Sequence, residues 1–346
     1  MRRWVPAPDD LRDRPFGDAV DLAVAEAMDR DDSVVVFGED IPVIRRDLAA
    51  RFGARRVRGT PISESAFLGA GVGAAMAGLR PIVEIMLVDF IGVCFDALLN
   101  HAAKMAGFTG GRWEVPLVVR ATCGGGYGDA GQHEQVLAGL LAGVPGLSVV
   151  LPSTPADAAG LMRSAIDHPG PVVFLEHKLL SEDWLDWMGG STRDSFDVEP
   201  PPAGALGPVA SPVEGVPIGS ARVLGTGRDL ALISVGVPVH HCRRVAGRLA
   251  DEGIGATVVD LRSVSPLDED VLREVGGRCD RVLVVDEDYL RFGLTGEVAA
   301  VLAEAAIMRP FERIGVERTL PYARRLENEV LPTADRILDK ARRLLS

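Results

Sequence analysis

Short apolar, β-branched runs alternate along most of the chain with longer stretches whose apolar residues recur at helical spacing. Residues 34–37, 81–88, 115–120, 148–151 and 172–176 are runs of the first kind and predict buried strands. Ala19, Val20, Leu22, Ala23, Ala25, Ala27 and Met28, interleaved with polar residues, predict an amphipathic helix over 14–30. Phe90, Val93, Cys94, Leu98 and Ala102 do the same for 90–106. Further helices are predicted over 135–142 and 154–167, the latter capped through Ser153 or Thr154. Alternation of this kind predicts a mostly parallel, doubly wound sheet.

The pattern breaks at 182–220, where Pro200, Pro201 and Pro202 stand among scattered Gly, Ser and Asp. Such a stretch predicts an inter-domain linker. The alternation then resumes, with strands over 230–235, 257–261, 281–286 and 311–316 and helices over 238–251, 268–275, 295–306 and 334–345. The expected fold class is α/β, with two doubly wound, mostly parallel sheet domains joined by a Pro/Gly-rich linker. The expected boundaries are 1–181, 182–220 and 221–346. A length of 346 residues suits two domains at roughly 100–200 residues each.

One stretch fits neither pattern cleanly. Thr60-Pro-Ile-Ser-Glu64 leads from an extended segment, enforced on Thr60 by Pro61, into a helix that Ser63 or Ser65 could cap. The helix carries Gly69, Gly71, Gly73 and Gly78. Each interior glycine costs about 1 kcal/mol against alanine, so close approach to another surface is expected to compensate. Glu64 is an acid at the entrance of that helix. An N-terminal acid favoured by the helix dipole is the plainer account of it.

A net charge of −12 argues against nucleic acid or an anionic membrane surface as partner. Cys94, Cys123, Cys242 and Cys279 are widely spaced and form no C-x-x-C pair, which fits buried thiols in a reducing compartment. The N-terminus lacks the apolar core of a signal peptide, and the apolar run over 66–79 is too short to span a membrane. A cytoplasmic protein is expected.

Gly126-Tyr-Gly-Asp-Ala-Gly131 matches the dinucleotide fingerprint G-x-G-x-x-G. No helix follows it directly, and 148–153 holds no acid for a ribose, so NAD is not expected. The loop instead carries His133, the best candidate acid–base group, with a structural histidine as the competing reading. No H-E-x-x-H, EF-hand, phosphate-loop or nucleophile-elbow motif occurs.

Several landmarks, taken in order, resemble the β subunit of thiamine-diphosphate-dependent 2-oxo acid dehydrogenases. They are Thr60-Pro-Ile-Ser-Glu64, Gly78-Leu-Arg-Pro-Ile-Val-Glu-Ile85, Gln132-His133, Leu151-Pro-Ser-Thr-Pro155, Phe174-Leu-Glu-His177, Val259-Asp-Leu-Arg262, Val285-Asp-Glu287 and Leu320-Pro-Tyr-Ala323. Gly92-Val-Cys-Phe-Asp96 and Asn100 look closest to the acetoin and pyruvate branches. The resemblance implies a transketolase-like pyrimidine-binding domain followed by a transketolase C-terminal-like domain. It implies that Glu64 hydrogen-bonds N1′ of the cofactor's aminopyrimidine, that Phe90 stacks on that ring, and that Ile62 and Met86 line the same side. It makes His133 the active-site histidine.

Relatives of this cofactor class hold the diphosphate through Mg2+ with a G-D-G motif and a later Asn. This chain has no G-D-G, and its only asparagines are Asn100 and Asn328. The resemblance therefore implies that a separate α-type subunit holds Mg2+, in an α2β2 heterotetramer, and that a lipoyl-bearing acyltransferase or carrier protein is the further partner. The glycine-rich helix would pack between subunits. Residues 165–168 lack the pattern that relatives use for potassium, so that ion is left unassigned. Met105-Ala-Gly-Phe-Thr109 and Glu134 also depart from the family, and a carboxylate beside His133 is expected to raise its pKa.

The implied activity is cleavage of a small 2-oxo acid or acetoin, with transfer of the two-carbon unit to a lipoyl group. A split transketolase-like enzyme moving a ketol unit from a ketose phosphate is one alternative. A non-catalytic scaffold subunit is the other.

Overall fold

The computed structural model describes residues 10–181 and 202–346. The apolar runs of the first domain assemble into a seven-stranded sheet. Its order is Ser263–Ser265, Ser148–Val150, Val172–His177, Val118–Cys123, Arg80–Leu87, Val34–Glu39 and Val57–Thr60. Every pairing is parallel except the outermost, where Ser263–Ser265 runs antiparallel to Ser148–Val150. Val118–Cys123 and Val172–His177 are buried along their whole length, as central strands of a sheet covered on both faces must be. The Phe16–Arg30 and Pro155–Asp167 helices share one apolar cluster on one face. Thr154 caps the second of these, its hydroxyl accepting from Asp157 N. The Glu64–Met76 helix packs on the other face. Its Gly71 is required there, because a Cβ would lie 2.5 Å from Val83 Cγ2.

The second domain holds a five-stranded sheet in the order Phe311–Val316, Val282–Tyr289, Leu230–Ser234, Ala256–Asp260 and Arg222–Leu224. Only the last pairing is antiparallel. The expected helices lie over Pro238–Asp251, Glu269–Arg278, Leu294–Glu304 and Ala334–Leu345. Ser263–Ser265 belongs in sequence to this domain, yet it completes the first sheet and covers its edge. A single apolar cluster runs from Val149 and Leu151 through Val264 to Leu272 and Val298, so the two domains share a core.

Two expectations change. Part of the segment read as linker, 182–201, lies outside the described residues. Beyond it, Leu206–Ser211 pairs antiparallel with Asp10–Pro15. Ser211 Oγ and Val213 N both donate to the buried Glu26 carboxylate at 2.8 Å, so this stretch folds against the first domain. The helix expected over 90–106 is also interrupted. A turn at Val88–Phe90 leads into Ile91–Asp96, then a wider π-helical turn over Ala97–Ala102, where Ala103 N donates to Leu98 O. That wider turn keeps Leu98 and Ala102 buried together.

Beneath the sheet's carboxyl edge lies an ion network. Arg120, 1% exposed, donates to both oxygens of Glu176 and to Asp21. Arg45 donates to Glu84 at 3.0 to 3.2 Å. Removing one member leaves buried opposite charges uncompensated. Arg120→Met should therefore destabilise the chain by about 3–5 kcal/mol in chemical denaturation. Arg248→Ala, which breaks a surface pair with Asp335, should cost about 1 kcal/mol or less. Equal, small effects of both changes would refute a structural role for the network.

Candidate active site

In an open parallel sheet, ligands bind outside the carboxyl ends of the strands where the strand order reverses. Here that point lies between Val34–Glu39 and Arg80–Leu87. The chain first crosses to Val57–Thr60 on one side and then returns to Arg80–Leu87 on the other. Glu39 ends the first of these strands, Glu64 opens the helix after Val57–Thr60, and Phe90 follows Arg80–Leu87. His133 comes from the loop after Val118–Cys123.

Glu64 is half-buried at the first helical position, where the helix dipole favours an anion. Ser63 occupies the cap position, but its hydroxyl donates to Pro61 O instead of closing the helix. Ser65 Oγ donates to Val93 O and ties this turn to the helix that follows Phe90. Among the described residues, none hydrogen-bonds the Glu64 carboxylate. Its charge is nonetheless felt nearby. Burial first and Glu64 second push the Cys94 thiol up to about 12. Burial, Asp40 and Glu64, in that order, raise the pKa of Glu39. Glu39 and Glu64 are thus close enough for one charge to act on the other.

Phe90 and His133 meet edge to face, their ring centres 6.2 Å apart at 83°. His133 Nδ1 lies 3.2 Å from the Asp129 carbonyl oxygen. A carbonyl only accepts, so Nδ1 carries the proton and Nε2 of the neutral ring is left to accept. Met86 is half-buried and lines a cavity of about 420 Å3 with Glu39, Asp40, Thr122 and members of the Arg45–Arg120 network. Neither Glu64, Phe90 nor His133 lines that cavity. Ile62 is 74% exposed and does not line it either.

The glycine-rich loop explains its own false match. Gly125 N donates to Glu287 Oε1 at 2.6 Å, Gly126 N to Glu327 Oε1 at 2.8 Å and Gly128 N to Glu327 Oε2 at 3.1 Å. The amides that would cradle a pyrophosphate are taken by carboxylates of the second domain. Gln135 Nε2 donates to Asp89 Oδ1 and Tyr289 OH to Gln135 Oε1, both at 2.7 Å, which adds a second bridge between domains. Glu134 corrects an expectation. It does not stand beside the imidazole; it is buried and accepts from Tyr127 N. Sequence reasoning missed Glu39, Asp89, Lys178 and Glu327. Only Glu39, an acid closing an apolar strand, carried a local signal.

Residues 14–182 match the family model of the transketolase pyrimidine-binding domain, and residues 219–337 that of the transketolase C-terminal domain. The chain is 36% identical over 347 residues to acetoin:2,6-dichlorophenolindophenol oxidoreductase subunit beta of Cupriavidus necator, covering 94% of this chain and 96% of that one. It is 36% identical over 331 residues to 2-oxoisovalerate dehydrogenase subunit beta of Bacillus subtilis, covering 92% and 95%. The chain belongs to the β subunits of thiamine-diphosphate-dependent E1 components. With the pyruvate dehydrogenase E1 component subunit beta-1 of Arabidopsis thaliana this E1 β subunit shares 34% identity over 336 residues, covering 94% and 88%. Its fold is also that of a solved split-gene transketolase, an inactive beta4 tetramer, with a TM-score of 0.76 at 22% identity over 96% of this chain and 98% of that one. No helix among the described residues is long and apolar enough to cross a membrane.

The Asp129 contact makes a direct prediction for this E1 β subunit. In a 15N-histidine-labelled sample at neutral pH, the resonances assigned to His133 by their loss in His133→Asn should report the Nδ1–H tautomer. An Nε2–H tautomer would contradict the geometry.

Proposed function

We propose that this chain supplies the pyrimidine half of a split thiamine-diphosphate site. It works with an α-type subunit in an α2β2 assembly that cleaves a small 2-oxo acid or acetoin and passes the two-carbon unit to a lipoyl group. The observation that carries the proposal is Glu64: a half-buried carboxylate at a helix start, with no hydrogen bond from the described residues, at the sheet's switch point. A flat heteroaromatic ring with a basic nitrogen fits that carboxyl group. Phe90, at the head of the helix that Ser65 touches, offers an aromatic surface, and the exposed Ile62 and Val93 offer apolar ones.

When bound, the cofactor supplies the electron sink for breaking the bond next to the substrate carbonyl. Glu64 holds a proton between its carboxyl oxygen and the ring nitrogen. Phe90 would supply an aromatic face for the ring, and its edge contact holds the His133 imidazole beside it. His133 Nε2 then accepts or donates a proton at the substrate oxygen. The α subunit holds Mg2+ and the diphosphate, a division supported by the missing G-D-G motif.

Gly69 and Gly73 support the two-subunit reading. A Cβ at either would meet nothing within 4 Å. Both are exposed, with Ser65, Ala66, Ala70 and Ala77 beside them. Two glycines that cost about 1 kcal/mol each in a helix leave a face that another backbone can approach closely. The named acetoin and 2-oxo acid relatives support the substrate class.

Co-expression with an α subunit tests this. Glu64→Gln should leave assembly intact and lower turnover by at least about 10²-fold, the scale of lost acid–base catalysis. Gly73→Leu should instead prevent assembly. Unchanged turnover in Glu64→Gln would favour the scaffold reading. Ketol transfer from a ketose phosphate without release of carbon dioxide would favour the split transketolase.

A further inference from the structure

Although Glu134 follows His133 in the chain, its side chain enters the joint between the two domains, where it is 1% exposed. Its Oε1 accepts from Tyr127 N at 2.8 Å, while Oε2 has no donor if all the carboxyl groups are ionised. The side chain against it is Glu327 of the second domain, 0% exposed. Two buried carboxyl groups in contact cannot both ionise cheaply, and one proton between them satisfies Oε2. Burial first and Glu327 second push Glu134 up to about 9, so at neutral pH Glu134 is the donor and Glu327 the acceptor.

Glu327 also accepts from the amides of Gly126 and Gly128, and Arg324 Nη1 lies 3.3 Å from its Oε2. On the other side of the loop, Lys178 Nζ donates to the carbonyl of His133 itself at 2.5 Å. Tyr127 OH donates to Lys178 O at 3.0 Å, and the ammonium sits 5.0 Å above the Tyr127 ring. Gly128 has no room for a side chain here, since a Cβ would lie 2.8 Å from Arg324 N. The loop that carries His133 is therefore clamped at its amides by the second domain and at the histidine's own peptide by Lys178.

We propose that Glu327 is a positioning residue for His133, acting through the hydrogen bond it shares with Glu134 and through the amides of Gly126 and Gly128. The inference rests on reading His133 as the acid–base group. Around Glu134 stand Tyr127 and Lys178, with Asp89 and Asp129 beyond the ammonium. Around Glu327 stands Arg324, and Glu287 with His177 holds the neighbouring Gly125. Loss of the Glu134 proton puts two anions against one another and drives Glu327 from the loop amides. The brace is thus intact at neutral pH and lost as pH rises through about 9.

The first test needs neither cofactor nor partner. In the isolated chain, amide hydrogen exchange over residues 125–133 should speed up at least about 10-fold in Glu327→Ala, as expected when local opening becomes easier. In the assembled α/β enzyme the same variant should lose at least about 10-fold in kcat, on the low side of an acid–base contribution. The kcat of the parent should also fall between pH 7.5 and 9.5. In Glu134→Gln, whose amide donates without titrating, that alkaline fall should disappear. Should Glu327→Ala fail to fold, Glu327→Gln, which keeps one acceptor oxygen, and Glu134→Gln carry the test. Unchanged exchange, unchanged kcat despite faster exchange, or the same alkaline fall in Glu134→Gln would each overturn the proposal. His133→Asn separates the two readings. If it leaves turnover unchanged, the role given to His133 fails, whatever the exchange data show. If it abolishes turnover while Glu327→Ala behaves as the parent, only the brace fails.

Discussion

Gly125, Gly126, Tyr127 and Gly128 present consecutive backbone N–H groups to a joint that the two domains close off from water. Buried donors must find acceptors, and these find carboxyl oxygens of Glu287, Glu327 and Glu134. Two of the three acids come from the second domain. That constraint fixes the second domain against the first, sets the path of the loop, and fixes where His133 emerges. It also occupies the Gly126, Gly128 and Gly131 amides of a sequence that reads as a phosphate cradle. Ser263–Ser265 and the shared apolar cluster reinforce the same joint from the sheet edge. The relative placement of the domains and the placement of the candidate histidine are thus one structural problem with one solution.

Much of this fold was legible because its signals are local. Buried parallel strands such as residues 172–176 are continuous apolar runs, and Thr154 announced its helix by an ordinary cap. The elements that escaped have no such signature. Asp10–Pro15 is polar and ends in proline, and it pairs with Leu206–Ser211 far along the chain. Ser263–Ser265 is too short to show a period and owes its conformation to the edge it covers. The broken helix after Phe90 keeps the expected apolar positions, but its π-helical turn is decided by packing.

The candidate site divides in the same way. Glu64 stood out because an acid before a glycine-rich helix is chemically odd, and His133 because a histidine on a loop is free to act. Glu134 was misread because adjacency in sequence says nothing about the direction of a side chain. Glu327 was invisible because its contacts with the loop span 201 and 199 residues. Of the residues expected to hold one cofactor ring, Ile62 is exposed and Met86 lines a cavity that Glu64 and Phe90 do not. Under the proposed function the other wall of the site belongs to another polypeptide.

Calorimetric titration of thiamine diphosphate with Mg2+ tests this most directly, performed on the chain alone, on an α subunit alone and on the two together. The account predicts tight, saturable binding only for the mixture, and its loss from the mixture when Gly73→Leu replaces the parent chain. Tight binding by this chain alone would contradict the account.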